Sequence, residues 1–221
     1  SIEEYESNIS KYIWVLKRSF FVNENVCIAT DICLPESIAA KQELEILGRG
    51  MIQDGASLVA KHVPTNRIVG VAYIPAPGEI TFFEEFEKTK VHTPNMKSVM
   101  TFLSKMDEEF DIFENWGIDC IFEVMFLSIH PEFERRKIGR ALCAYSIDFA
   151  KELNQGVGIE LLRDGLRDKR PKAVSALFTS KISQRIGENL GFQNTKIKSY
   201  LESQILTLIG LEFVIIKFGL F

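Results

Sequence analysis

The stretch Ile121-Phe122-Glu123-Val124-Met125-Phe126-Leu127-Ser128-Ile129-His130-Pro131-Glu132-Phe133-Glu134-Arg135-Arg136-Lys137-Ile138-Gly139-Arg140-Ala141-Leu142 decides the fold. Its first part, Ile121 to Ile129, is nearly all apolar and rich in β-branched and aromatic residues. That is the composition of a strand buried on both faces. Beyond it, Ile138, Leu142, Tyr145, Phe149 and Leu153 recur at helical spacing and mark out one face of a helix. A basic turn therefore joins a central strand to the first turn of a helix. Unpaired N–H groups and the positive end of the dipole make such a turn attractive to anions. From Glu132 to Arg140 there are four cationic and two acidic side chains, a balance that favours a phosphate. The same residues also fit an ordinary strand–turn–helix with surface charge, so the flanking elements have to decide.

The chain has 221 residues, 46% of them apolar, which is enough for a sizeable core. With no repeats, low-complexity tracts or clear linkers, a single domain over 1–221 is expected. A net charge of −4 argues against general nucleic-acid binding. Cys27, Cys33, Cys120 and Cys143 form no C-x-x-C, and the three histidines have no metal-ligand spacing. No metal is expected, and the cysteines read as reduced thiols. The acidic start, Ser1-Ile2-Glu3-Glu4, has no apolar leader segment. The longest apolar stretch, Ile205 to Ile216, is interrupted by Thr207, Gly210 and Glu212 and is too short for a bilayer. The expectation is a cytoplasmic protein without membrane contact, monomeric or weakly dimeric.

Helical spacing of Ile9, Tyr12, Ile13, Leu16 and Phe20 predicts a helix over roughly Ser7 to Phe21. A second helix is predicted over Ile38 to Ile52. Ser57 to Val63 and Arg67 to Ile74 read as a hairpin around Pro64-Thr65-Asn66. Glu84 to Lys90 and Ser98 to Phe113 read as helices, with a polar break around His92 to Asn95. Ala173 to Thr179 reads as a strand and Ser180 to Leu190 as a helix stopped by Gly191. Phe192 to Leu201 and Leu211 to Phe218 read as the last strands. Interleaved strands and helices give an α/β chain with a sheet of mixed direction. Gly48-Arg49-Gly50 reads as a loop or helix end, without the Lys-Ser/Thr of a P-loop.

The order of residues in the basic turn resembles the acetyl-CoA signature of the GNAT N-acetyltransferase superfamily. In that signature a strand ends in a V-x-P-x-Y-like segment and (R/Q)-x-x-G-x-(G/A) opens a helix. Ile129, Pro131 and Phe133 match the strand end and the aromatic; Ile138, Gly139, Ala141 and Leu142 match the helix start. Glu134 stands where the family has Arg or Gln, and Lys137 where it has the first Gly. Phe20-Phe21-Val22-Asn23-Glu24-Asn25 resembles the F-F-x-x-E-(P/S) of the insect arylalkylamine N-acetyltransferase branch, with Asn25 in place of the usual Pro. Phe178 to Phe192, ending in Leu190-Gly191-Phe192, resembles that branch's Thr/Ser-rich helix and its L-G-F ending. The resemblance implies a mixed, mostly antiparallel central sheet flanked by helices. It also implies a strand before the first helix. Only Ser1 to Tyr5 is available for that strand, which is therefore short or missing.

By the same resemblance acetyl-CoA is the co-substrate and a small-molecule amine the acceptor, an arylalkylamine or a polyamine-like or amino-acid-derived amine. A non-catalytic acetyl-CoA-binding module is the alternative from another class. The pyrophosphate would lie on the amides around Arg135, Arg136, Lys137, Ile138 and Gly139, with Arg140 adding charge. Amides around Leu127, Ser128 and Ile129 would face the thioester carbonyl. An amine attacks only when neutral, so a carboxylate base is needed, and Glu24 takes that role. Gly187 stands where many acetyltransferases carry a Tyr acid. Thr179 and Ser183, read as one helical turn apart on one face, are the candidate hydroxyls, Ser183 before Thr179. A helix cap is the competing role for Thr179 and Ser180. Phe82, Phe83, Phe86 and Phe102 are candidates for an amine pocket or for the core.

Overall fold

The computed structural model describes the backbone of residues 2–75, 77, 81–199 and 212–217. Helix α1 (Ile2–Arg18) leads into two short helices, α2 (Phe20–Asn23) and α3 (Asn25–Ala29), and then α4 (Ile38–Gln53). The hairpin β1 (Leu58–His62) and β2 (Arg67–Tyr73) turns at Asn66, which takes the left-handed conformation. Helices α5 (Thr81–Lys90), α6 (Pro94–Glu109) and α7 (Ile112–Trp116) precede β3 (Ile121–Val124) and β4 (Phe126–Ile129). Helix α8 (Ile138–Asn154), β5 (Ala173–Phe178), α9 (Lys181–Asn189), β6 (Gln193–Ser199) and β7 (Glu212–Lys217) complete the order. The helix expected over Ser98 to Phe113 is two, because Phe110 is extended and Asp111 caps a new helix start. Of the last two expected strands, Leu201, Leu211 and Phe218 lie outside the described residues, as do the side chain of Phe82 and the run from Ile205 to Leu211.

The apolar run from Ile121 to Ile129 is not one strand. Met125 divides it, and the two halves take different partners. β4 pairs antiparallel with β2, and β3 pairs parallel with β5. The sheet is thus two parts, β1-β2-β4 and β3-β5-β7-β6, antiparallel except for the β3–β5 pair. Nor is the run buried on both faces. Burial alternates, with Phe122, Val124, Phe126 and Ser128 inside and Ile121, Glu123, Met125, Leu127 and Ile129 only partly covered. Among the described residues no strand precedes α1, which begins at Ile2.

Helices cover both faces. Alternate residues of β2 point to opposite sides. Val71 and Tyr73 enter a core built with α1, α4 and α6, while Ala72 and Ile74 enter one built with α8, β3 and β5. In α4, Ala40, Leu44, Leu47 and Met51 form the buried stripe. Gly48 is inside this helix rather than at its end, and a Cβ there would sit 3.1 Å from Leu16 of α1. On α8 the buried side chains are Leu142, Cys143, Ser146, Ile147, Ala150 and Leu153, whereas Tyr145 is 67% exposed. The helix is rolled away from the expected face because the sheet, chiefly β2 and β1 with β4 and β5 beside them, receives it on the Cys143–Ile147 side. No described helix is long and apolar enough to cross a membrane.

Candidate active site

Phe20 and Phe21 fix the early segment. Phe21 is buried in the first core, and Phe20 packs on Phe126 of β4 with ring centroids 4.5 Å apart. This brings Glu24, the cap between α2 and α3, against the end of β5. Glu24 Oε2 accepts from the amides of Val26 and Cys27, at 2.5 and 2.9 Å. Its Oε1 accepts from the Thr179 hydroxyl at 2.6 Å. Burial pushes the Glu24 pKa above the ordinary carboxylate value, and the hydrogen bonds from Thr179, Cys27 and Val26 only partly offset this. Asn25 adds a second tie, its Nδ2 donating to the Thr179 carbonyl at 2.5 Å. A proline at that position has no group to make this bond. The Asn25 contact was not foreseen from sequence, because its partner is 154 residues away.

Thr179 and Ser183 do not share a helical face. Thr179 precedes the helix, Ser180 is the N-cap, and α9 starts at Lys181. Ser180 and Ser183 form a capping box, in which the Ser183 amide donates to Ser180 Oγ and the Ser180 amide to Ser183 Oγ, each at 3.1 Å. Ser183 Oγ also donates to the Ser180 carbonyl at 2.9 Å. Gly187, in place of a Tyr, leaves room for the Phe178 ring. A Cβ there would meet Phe178 Cε2 at 2.3 Å.

In the basic turn, Arg135 and Lys137 both have positive φ, 60° and 61°. Lys137 lies outside the helix and caps α8 from the left-handed region, which Gly adopts freely. Among the described residues, the amides of Arg135, Arg136, Lys137, Ile138, Gly139 and Arg140 meet no acceptor, and free N–H groups at the start of a 17-residue helix are the kind of donor set that suits an anion. Gly139 sits close to Leu127 and Ile186, at 3.4 Å from a Cβ, which seats the helix start on β4 and α9. Among the described residues, neither Arg135 nor Arg136 forms an ion pair with Glu134. Arg136 lies over the Phe133 ring at 4.9 Å, and the ion pair of this turn joins Arg67 to Glu132 at 3.4 Å. Behind it His130 stacks on Trp14 at 4.9 Å. Burial and the nearby Arg67 and Arg18 hold the His130 pKa down, against a smaller opposing pull from Glu132.

β4 is the edge of its part of the sheet. The His130 amide bonds back to Val69 on the β2 side, and antiparallel pairing alternates. Ser128 is therefore turned toward β2, and its Oγ donates to the Val15 carbonyl. The amides of Leu127 and Ile129 point the other way, into the space where β4 parts from β5. Ser128 thus drops out of the expected amide set, and Leu127 and Ile129 remain. A cavity of about 690 Å³ lies between α5, α6, α7 and the β3–β5 pair, with Met125 in its lining. Phe83, Phe110 and Phe113 line it, while Phe86 and Phe102 are core residues. No group of three or more His, Cys, Asp or Glu among the described residues could hold a metal ion.

No family model and no curated protein sequence match the chain. Solved structures do. The crystal structure of arylalkylamine N-acetyltransferase 2 from Aedes aegypti superposes with a TM-score of 0.75 at 20% identity, covering 97% of this chain and 95% of that one. Mosquito arylalkylamine N-acetyltransferase like 5b gives 0.75 at 16% identity, covering 97% and 96%. A polyamine N-acetyltransferase of Drosophila melanogaster, which forms N-acetylagmatine, gives 0.73 at 19% identity, covering 96% and 94%. With the divided sheet and the basic turn before α8, these likenesses show that the chain has the GNAT acetyltransferase fold, with insect arylalkylamine and polyamine N-acetyltransferases as its structural neighbours.

Proposed function

We propose that the protein transfers an acetyl group from acetyl-CoA to the primary amine of a small acceptor by direct attack in a ternary complex. The observation that carries this reading is the Glu24–Thr179 hydrogen bond. It holds a carboxylate of raised pKa just past the end of β5. A raised pKa makes a carboxylate a better proton acceptor near neutrality. Glu24 attracts the ammonium form and takes its proton, directly or through water. Acetyl-CoA supplies the thioester. As the nitrogen–carbon bond forms, the carbon–sulfur bond breaks, and the departing sulfur leaves as thiol once protonated. The amides of Leu127 and Ile129 donate to the carbonyl oxygen as charge builds on it. The amides from Arg135 to Gly139 hold the pyrophosphate, with Arg135, Arg136, Lys137 and Arg140 adding positive charge. Thr179 positions Glu24. Ser183 is assigned to the cap of α9, because its hydroxyl is already engaged there. Phe83, Phe110 and Phe113 support an acceptor with an aromatic or long aliphatic stem, such as an arylalkylamine.

Glu24→Gln tests the reading. It keeps the shape but cannot accept a proton, so turnover falls by roughly a hundredfold or more. Acetyl-CoA affinity measured by calorimetry stays within a few fold. Unchanged turnover would remove Glu24 from the chemistry, and failure of the wild type to bind acetyl-CoA would remove the reading altogether.

A further inference from the structure

We infer that Asn25 is a positioning residue for the base: through the Thr179 carbonyl it holds the Thr179 hydroxyl on Oε1 of Glu24, the oxygen with room for the amine's proton. This rests on the proposed amine acetylation and names a further residue on which its base depends. Asn25 follows Glu24 in the chain and is the first residue of α3. Its Nδ2 donates to the Thr179 carbonyl at 2.5 Å, and the Thr179 hydroxyl donates to Glu24 Oε1 at 2.6 Å. A carbonyl only accepts, so the Asn25 atom facing it is the amide nitrogen. Two adjacent residues thus grip one distant residue, one by its hydroxyl and the other by its carbonyl. The contacts close into a ring.

The capacity of the carboxylate ties this ring to the chemistry. Each carboxylate oxygen has about two acceptor sites. Oε2 of Glu24 takes the amides of Val26 and Cys27, at 2.5 and 2.9 Å, and is filled by them. The Asn25 amide adds a weaker pull on the same carboxylate. Oε1 takes the Thr179 hydroxyl and keeps a site open among the described residues. As the amine's N–H bond breaks, the electron pair stays on nitrogen and the proton bonds to Oε1. The placement of Oε1 follows that of the Thr179 hydroxyl. Thr179 stands between Phe178, the last paired residue of β5, and Ser180, the N-cap of α9. Helix α3 has five residues, and so short a helix has little stability of its own. The Asn25 amide anchors its first residue to the end of β5.

The bond from Asn25 runs to a backbone carbonyl, whereas the effect on Glu24 runs through a side chain. This separates two roles. A tie that only stabilises the fold works equally well in Thr179→Val. A tie that positions the base needs the Thr179 hydroxyl.

The test is an NMR titration of the Glu24 carboxyl carbon in protein labelled with carbon-13 glutamate, the signal being assigned by its absence in Glu24→Gln. Asn25→Ala should raise the titration midpoint by roughly half a unit or more, because a hydrogen bond to the ionised form is weakened. Asn25→Gln, with its amide on a longer arm, should recover part of the shift. In a Thr179→Val background Asn25→Ala should move the midpoint no further, since both act through one hydroxyl. Thermal melts of the same preparations check folding. Asn25→Leu, of similar shape without a donor, replaces Asn25→Ala if the latter folds poorly. An unmoved midpoint in the well-folded variant, or an equal shift with and without the Thr179 hydroxyl, overturns the inference. Release of CoA from acetyl-CoA is followed alongside, with 2-phenylethylamine and 1,4-diaminobutane as probe amines. A severalfold loss of rate at neutral pH in Asn25→Ala supports the inference. Shifted midpoints without amine-dependent release by the wild type keep the coupling and overturn the proposed reaction. Amine-dependent release with unmoved midpoints does the reverse.

Discussion

The Thr179 hydroxyl donates a 2.6 Å hydrogen bond to Oε1 of Glu24, a residue 155 positions earlier. The bond lowers the Glu24 pKa against the larger effect of burial. Removing it in Thr179→Val should raise that pKa further. The rising limb of the rate–pH profile then moves to higher pH, and turnover at neutral pH falls severalfold. Thr179→Ser should keep the wild-type limb. An unmoved limb in Thr179→Val would show that the bond does not tune the carboxylate.

The same carboxylate predicts a pH dependence of stability. Its folded pKa is raised, so the folded state disfavours the ionised form. The contribution is fully present below the ordinary value of 4.5 and is lost as pH rises through the folded value. Glu24→Gln removes the titration. The melting temperature of this variant relative to wild type should therefore increase as pH is raised from 4 to 8. A constant difference across that range would contradict the assignment.

His130 gives the opposite sign. Its pKa is lowered, chiefly by burial, and its neutral Nδ1 accepts from the Glu132 amide at 3.3 Å. Stability tied to it is present above the ordinary value of 6.5 and is lost as pH falls through the folded value. Thermal melts of wild type should drop between pH 7 and pH 5. The drop should be smaller in His130→Asn, whose side-chain oxygen can still accept from the amide.

Ser183→Ala removes half of the capping box of α9. The expected cost is about 1 kcal/mol of stability, with turnover per folded molecule preserved. A large loss of turnover at unchanged melting temperature would instead give Ser183 a direct part in protonating the thiol.

Lys137 occupies the left-handed region at φ 61°. A side chain costs roughly 1–2 kcal/mol there compared with Gly. Lys137→Gly should raise stability by about 1 kcal/mol while weakening acetyl-CoA binding modestly through the lost charge. Both are read from melts and calorimetry of one preparation.

Elements with strong local patterns were legible in the sequence. The α4 helix and the β1–β2 hairpin fall within a residue or two of their expected bounds, because helical spacing and the Pro64-Thr65-Asn66 turn are local signals. The break at Met125 was not legible. Every neighbour is apolar, and a change of pairing partner is decided by the rest of the sheet. Tyr145 kept helical spacing yet lies outside, since the roll of α8 is set by what it packs on. Glu24 and the basic turn were singled out in the sequence through ordered motifs. The Asn25–Thr179 contact was not, as it joins groups distant in sequence.

As an edge strand, β4 has on one side a row of amides and carbonyls that meets no neighbouring strand among the described residues. In most sheets such a row invites association with other molecules of the same protein. Here helices stand on both faces of the sheet, which restricts the approach of a second sheet. A slender ligand with amide linkages can lie along it as a temporary extra strand. Occupancy would then protect the fold as well as serve the reaction, tying the protein's resistance to unfolding to the supply of that ligand.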